Sequence, residues 1–412
     1  MKDRITVLMG AGAMMDYTKV STDALTEKIV ENCQKFRANN CCRSSVEISE
    51  CPNSVYYSKS VVEFVRDLYK EKTKKDANFE MIFHMLEVIF NYRKDNVQGE
   101  NLNTENVITN LNEKFSCINF SSVYKSIYKI LDVINDEIFA YDSNFENKGK
   151  SFKMFFEKLL ESGQCLDVFN LNYDTWVEQS IPEYTDGFVA ENSGIMHFDS
   201  RHYIKECDQN RISHLHGQIN FGFLDAAERE YSNTQDELCK FENYNNAKEN
   251  RIVINGSDTN QSGRKIIYSN IVTGLLKTDK ILWHPLDVYH SMLLRSLIQN
   301  KRLLIIGYGF EDLYINKLLD LQFNANCNDK KIIIIDKMDD KNDEQYGYSS
   351  VPFRSSKKKV YLERIFQCNQ WFKQYKKRDT YFCSEEGDVC VYGNGFRKVI
   401  EENIEELLYF LQ

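Results

Sequence analysis

The run Ile5-Thr6-Val7-Leu8-Met9, followed at once by Gly10-Ala11-Gly12-Ala13, decides how the rest of the chain is read. Consecutive β-branched and apolar residues suit a strand buried on both faces, and the glycines that break the run mark a tight turn. Without side chains at Gly10 and Gly12, backbone amides can approach a pyrophosphate, and a helix starting just after would add a favourable dipole. The spacing falls short of a full G-x-G-x-x-G, because Met15 stands where the third glycine would be. Alone, the stretch fits two readings, a phosphate-binding turn or a plain tight turn.

Further strand-like runs lie far along the chain. Leu166-Asp167-Val168-Phe169-Asn170-Leu171 enters Asn172-Tyr173-Asp174, and His214 to Phe221 reads as a strand or strand edge. Leu303-Leu304-Ile305-Ile306 stops at Gly307, and Lys331-Ile332-Ile333-Ile334-Ile335 stops at Asp336. Between the runs, apolar residues recur at helical spacing: Val61, Val62, Phe64, Val65 and Leu68; Met81, Ile82, Met85, Leu86 and Ile89; Val123, Ile127, Ile130, Leu131, Ile134 and Ile138; Phe152, Phe155, Phe156 and Leu159; and Tyr289 to Ile298. Continuous apolar strands separated by helices predict an α/β fold, a Rossmann-like parallel sheet with helices on both faces and a large helical insertion. Residues 1–20 and 151–345 are assigned to the core, 21–150 to the insertion, and 346–412 to a C-terminal extension. Such sheets bind ligands beyond the carboxyl ends of their strands. Gly10, Asn172, Gly307 and Asp336 all sit at or just past such ends, so distant stretches are expected to converge on one site.

The 412 residues allow two or three domains, or one large domain with insertions. A formal net charge of −9 disfavours a chain that coats nucleic acid through its overall field. The basic tract Lys357, Lys358, Lys359, Lys373, Lys376, Lys377 and Arg378, with Trp371, Phe372 and Tyr375 interleaved, fits a solvated face or a patch for an acidic partner. No stretch of about 18 uncharged apolar residues marks a membrane span, and the opening residues lack a secretory h-region. A soluble, cytoplasmic protein is the expectation. The twelve cysteines include no C-x-x-C pair, which argues against a zinc ribbon and for reduced, packing thiols. Trp283-His284-Pro285 reads as packing too.

Taken in order, four stretches resemble the sirtuin-like family. GAGA at 10–13 resembles its opening turn, LNYD at 171–174 its asparagine-x-aspartate motif, and LHG at 215–217 its catalytic histidine-glycine. IIGYGFEDLYIN at 305–316 looks like the late strand-to-glycine segment of the bacterial defence branch, with Asp312 and Asn316 at recurrent polar positions. Two departures matter. The paired C-x-x-C motifs that hold zinc in the protein deacylases are missing, so no zinc or other metal is expected. The Asp-Phe-Arg that usually follows the first turn is also missing, with Met14-Met15-Asp16-Tyr17 and Ser21-Thr22-Asp23 in its place. Both put a peptide groove in doubt.

The resemblance implies NAD as substrate and cleavage of its nicotinamide–ribose bond. Loss of nicotinamide leaves an oxocarbenium-like ribose, so a site must stabilise positive charge and guide a nucleophile. The Asn172 amide donates and accepts, which suits a ribose hydroxyl or an attacking water. His216 titrates near neutrality and suits a general base. By analogy Asp174 would meet the nicotinamide amide; Gly10, Ala11, Gly12 and Ala13, with Thr22, would face the cofactor. Gly307, Gly309 and Asp336 would border the adenosine end, Asp336 as a ribose-hydroxyl partner. Blander roles stand beside these. Asn172 could close an Asx-turn, His214 could be the working imidazole instead of His216, and Asp174 and Asp312 could each cap a helix.

The expectation is therefore an NAD glycohydrolase that gives nicotinamide and ADP-ribose, acting in antiphage defence by NAD depletion. By analogy it forms a homo-oligomer with a HerA-type ATPase as partner, meeting nucleic acid only through that partner. Two alternatives stay open: a structural subunit that binds NAD or ADP-ribose and docks a HerA-type ATPase or nuclease, and an NAD-dependent deacylase or ADP-ribosyltransferase.

Overall fold

In the computed structural model, Arg4–Met9 (β1) is an inner strand with every residue from Ile5 onward buried. The described residues are 3–34, 60–92, 120–190, 194–205, 208–223, 238–253, 267–275, 277–325, 330–337, 376–377, 381–383 and 389–411. The sheet around β1 also contains Cys165–Asn170 (β2), Tyr184–Thr185 (β3), Asn210–His214 (β4), Arg302–Ile306 (β5) and Lys331–Ile335 (β6). Lys376–Lys377 (β7), Tyr381–Cys383 (β8) and Val389–Tyr392 (β9) complete it. The order is β7-β8-β9-β6-β5-β1-β2-β4-β3. From β9 to β3 all neighbours run parallel, and only β7 and β8 are antiparallel. This is the α/β, Rossmann-like sheet predicted.

Two compact units divide the chain: residues 1–19, 140–247 and 281–412 form one, and 20–139 with 248–280 the other. In the first, alternation along β1 sends Ile5, Val7 and Met9 into an apolar layer. Phe152, Phe155, Phe156 and Leu159 of helix Lys150–Glu161 join that layer, as do Phe396, Val399, Ile400, Leu407 and Leu411 of helix Phe396–Leu411. Strand β9 and that last helix thus contribute to the main sheet and its cover. Helix Leu286–Gln299 covers the opposite face, where the Thr6 hydroxyl donates to the Ser296 carbonyl at 3.4 Å.

The second unit holds helices Thr22–Asn32, Val61–Thr73 and Phe79–Tyr92, and the start of Phe120–Asp142. Ser60 and Glu63 form a reciprocal capping box at Val61. Residues 248–280 return to this unit with the antiparallel pair Ile252–Val253 and Tyr268–Ser269 and a buried Lys280–Glu87 ion pair at 2.5 Å.

The stretch from His214 to Phe221 is not one strand. Strand β4 stops at His214, Gly217 turns the chain at φ +80°, and Phe221–Gly222 joins a separate antiparallel sheet. That sheet is completed by Phe188–Ala190, Ile195–Phe198 and Cys239–Phe241. Lys357, Lys358, Lys359, Trp371, Phe372, Lys373, Tyr375 and Arg378 lie outside the described residues. No described helix is long and apolar enough to cross a membrane.

The amino ends of the strands are tied by a buried carboxylate. Asp167 accepts from Arg4 at 2.6 and 3.0 Å, from Arg211 at 3.3 Å, from the Ser296 hydroxyl at 3.0 Å and from Asn300 at 2.9 Å. Burial opposes its charge, but Arg4, Asn300 and Arg211 together outweigh it and hold the carboxyl below its ordinary value. Removing one partner of such a cluster leaves buried cations uncompensated, at a cost of roughly 3–5 kcal/mol. Asp167→Ala should therefore move the urea unfolding midpoint of the full chain clearly downward. An unmoved midpoint would contradict a structural role for this cluster.

Candidate active site

Parallel register aligns the carboxyl ends of five strands. Met9 pairs with Asn170 and with Ile306, Asn170 with His214, and Ile306 with Ile335. Gly10, Asn172, His216, Gly307 and Asp336 therefore leave the sheet along one edge, each one or two residues past its strand. Asn172 and His216 follow adjacent strands.

The first turn is packed against the fourth loop. The Gly10 amide donates to the Ile306 carbonyl and the Gly12 amide to the Gly307 carbonyl, both at 2.9 Å. A Cβ on Gly10 would lie 2.7 Å from Gly307 O, one on Gly12 would lie 2.8 Å from Gly307 Cα, and one on Gly307 would collide with the Ala13 amide. Gly307 also has φ +59°. The glycines at 10, 12 and 307 are thus required by backbone meeting backbone, whatever else they serve. Ala13 is buried, and its amide and that of Met14 close the turn onto Gly10 and Ala11. These bonds leave out the amide of exposed Ala11.

Asn172 is freed to use its side chain. Its backbone amide donates to Asn170 Oδ1 at 3.0 Å, so Asn170 closes the Asx-turn. The Asn172 side chain donates through Nδ2 to the Gly10 carbonyl at 3.3 Å, joining the second loop to the first. His214 supports the same residue, with Nδ1 3.3 Å from the Asn172 carbonyl and Nε2 2.7 Å from Glu178. Burial disfavours the His214 cation, but Glu178 outweighs it and raises the imidazole above its usual value, while His214 keeps buried Glu178 ionised. His214 is thus spent on a buried ion pair.

His216 is nearly buried, with Nε2 3.0 Å from Asp312 Oδ2. Asp312 does two things. Its Oδ1 accepts the amides of Tyr314 at 2.9 Å and Ile315 at 3.1 Å, capping helix Leu313–Ala325, while Oδ2 faces the imidazole. The loop before it is braced: Asn316 Nδ2 donates to the Phe310 carbonyl at 2.8 Å, and the Tyr308 hydroxyl shares its hydrogen between the Asp312 carbonyl and Asn316 Oδ1. Phe310 is held at φ +54°, a strained value for a bulky residue.

The remaining candidates divide. A Cβ on Gly309 would lie 3.8 Å from Glu311 Cγ, an ordinary contact, so packing does not demand a glycine there. Asp336 lies along the same edge, but its main chain knits β6 to the loop after β9, accepting from Gly395 at 3.1 Å and donating to Tyr392 at 3.0 Å. Thr22 is exposed as the first residue of its helix in the second unit. Asp174 is buried, accepting from the Tyr141 hydroxyl at 3.1 Å and the Trp176 amide at 3.2 Å, a helix-entry role. Sequence spacing does not reveal Tyr141 as the partner of Asp174 or Glu178 as the partner of His214, since both contacts depend on tertiary packing. Among the described residues no cluster of His, Cys, Asp and Glu is placed to hold a metal ion.

Fold and site together define a parallel α/β protein with a loop-built ligand edge. Residues 167–350 match the family model described as the SIR2-like domain, and the match supports placing the chain among sirtuin-like proteins with an NAD-related function. The matched span includes Asn172, His216, Gly307 and Asp312, and starts after the Gly10 turn. No curated protein matches the chain.

Asp142 accepts from the Thr175 amide at 2.7 Å and its hydroxyl at 2.8 Å, close behind the site. Burial, then the charge of Asp174, pushes its carboxyl up to about 7, and burial pushes Asp174 up to about 6. The folded form therefore binds more protons than the unfolded chain from about pH 4 to pH 7, so these groups make stability fall as pH rises through that window. Replacing Asp142 by Asn should flatten that decline in unfolding free energies measured across the window. Parallel wild-type and variant curves would count against the assignment.

Proposed function

We propose that the chain is an NAD glycohydrolase that cleaves the nicotinamide–ribose bond and releases nicotinamide and ADP-ribose. One observation carries the reading: an amide at Asn172 and a carboxylate-bound imidazole at His216 leave adjacent strands beside a glycine turn. The residues present fit a dinucleotide. Ala11 offers an amide to the pyrophosphate, and Gly309 adds no side chain at the adenosine end. Asn172 orients a ribose hydroxyl or the attacking water, and His216 accepts the proton that the nucleophile loses. Asp174 and Asp336 remain proposed NAD contacts by analogy, the first toward nicotinamide, the second toward ribose.

The SIR2-like match supports an NAD-acting enzyme. The late segment IIGYGFEDLYIN, similar to that of the bacterial defence branch, supports antiphage NAD depletion as the biological role. By the same analogy the protein works in the cytoplasm as a homo-oligomer with a HerA-type ATPase. The absence of C-x-x-C pairs from the sequence argues against the zinc-bearing deacylases.

The test is chromatography of products from purified full chain and NAD, with and without a HerA-type ATPase. Wild type should release nicotinamide and ADP-ribose. Asn172→Ala and His216→Ala, still folded, should lose about 10²-fold or more in turnover. NAD bound without turnover in every condition would favour the structural-subunit reading, and turnover only with an acylated or acceptor peptide would favour group transfer.

A further inference from the structure

We infer that Asp312 is the positioning residue of His216: it fixes the proton on Nε2 and leaves Nδ1 as the basic nitrogen toward the reacting ribose. The inference rests on the glycohydrolase reading for its catalytic meaning. Its geometric basis is independent of that reading.

An ionised carboxylate only accepts hydrogen bonds. With Asp312 Oδ2 3.0 Å from His216 Nε2, that nitrogen carries the hydrogen and Nδ1 holds the lone pair. The two carboxylate oxygens are divided, because Oδ1 is already engaged by the Tyr314 and Ile315 amides. Those amides and the braced Phe310 loop fix Asp312 before it meets the imidazole, so the pair is pre-set and not a chance surface contact. The side chains of both partners are largely buried, with 6% and 11% of their surface exposed, which strengthens the interaction. His290 of helix Leu286–Gln299 also interacts with the pair, and burial pushes its imidazole down to about 4, which keeps it neutral.

The proton balance follows. As the C1′–nitrogen bond breaks, its electron pair leaves with nicotinamide. A water oxygen bonds to C1′ and gives one proton to Nδ1, and the resulting imidazolium faces the Asp312 carboxylate until the proton passes to solvent. Asp312 stabilises that cation without itself taking the proton, the role a carboxylate plays behind a catalytic imidazole elsewhere.

Asp312→Asn separates this role from helix capping. Asparagine caps as well as aspartate, but its amide nitrogen can donate to Nε2 and move the imidazole proton to Nδ1. The full-length variant should keep its thermal transition and its KM for NAD while kcat falls by about 10²–10⁴. Its remaining activity should show an acid limb displaced to lower pH, because the imidazolium has lost its carboxylate. Long-range 15N–1H spectra of histidine-labelled protein, with His216→Gln to assign the signal, should show Nε2–H in wild type and a changed tautomer in the variant. Unchanged kcat, or a loss of kcat that tracks a loss of folding, would overturn the inference. If the wild type never turns over NAD, the glycohydrolase reading fails. The spectra then decide the pairing alone, Nε2–H in wild type upholding it and Nδ1–H in both proteins overturning it.

Discussion

The close approach of two backbones, Gly10–Gly12 against Gly307, is the constraint on which the site edge depends. Hydrogen bonds at 2.9 Å join the turns, and a single Cβ at any of the three glycines would push them apart. Asn172 then bonds to the Gly10 carbonyl, and the loop that begins at Gly307 carries Asp312 to His216. Four loops separated by up to about 300 residues of chain are thereby held as one rim. The ordinary account of glycines in such turns is ligand access. In this molecule, loop-to-loop contact is a sufficient reason for them, and access is an additional use.

Behind the rim, function is supported by buried carboxylates with different tasks. Glu178 neutralises His214, which meets the Asn172 main chain. Asp312 divides its oxygens between a helix end and the His216 imidazole. Asp142 and Asp174 are taken up by helix entry and carry raised pKa values. Each pairing resolves the cost of an isolated buried charge in its own way, by an ion pair, by charge-assisted hydrogen bonds, or by favouring protonation. At the other end of the strands Asp167 performs the purely structural version of the same task.

Much of the architecture was legible because it is local. Runs of four or five β-branched and apolar residues announced β1, β5 and β6, and helical periodicity announced Val61–Thr73, Phe79–Tyr92 and Lys150–Glu161. What was not legible depends on distant partners. Gly217 breaks the run from His214 to Phe221 because its φ of +80° reverses the chain, and apolar content alone does not show that. The strand pair of Ile252–Val253 with Tyr268–Ser269 and the Lys280–Glu87 ion pair depend on partners that local composition does not show. Val389–Tyr392 joins the main sheet as β9 only because Ile332 to Ile335 await a neighbour. Asp312 reads from the sequence as a recurrent polar position or a helix cap; its contact with His216 depends on tertiary packing, and its two oxygens serve cap and imidazole together.

The most direct test of one NAD on this rim is hydrogen–deuterium exchange of the full-length His216→Ala protein, in which turnover is blocked, with and without saturating NAD. Exchange should slow together at residues 10–13, 171–175 and 307–312 when NAD is bound. Protection confined to the helical unit, or no protection at any of these loops, would contradict the account.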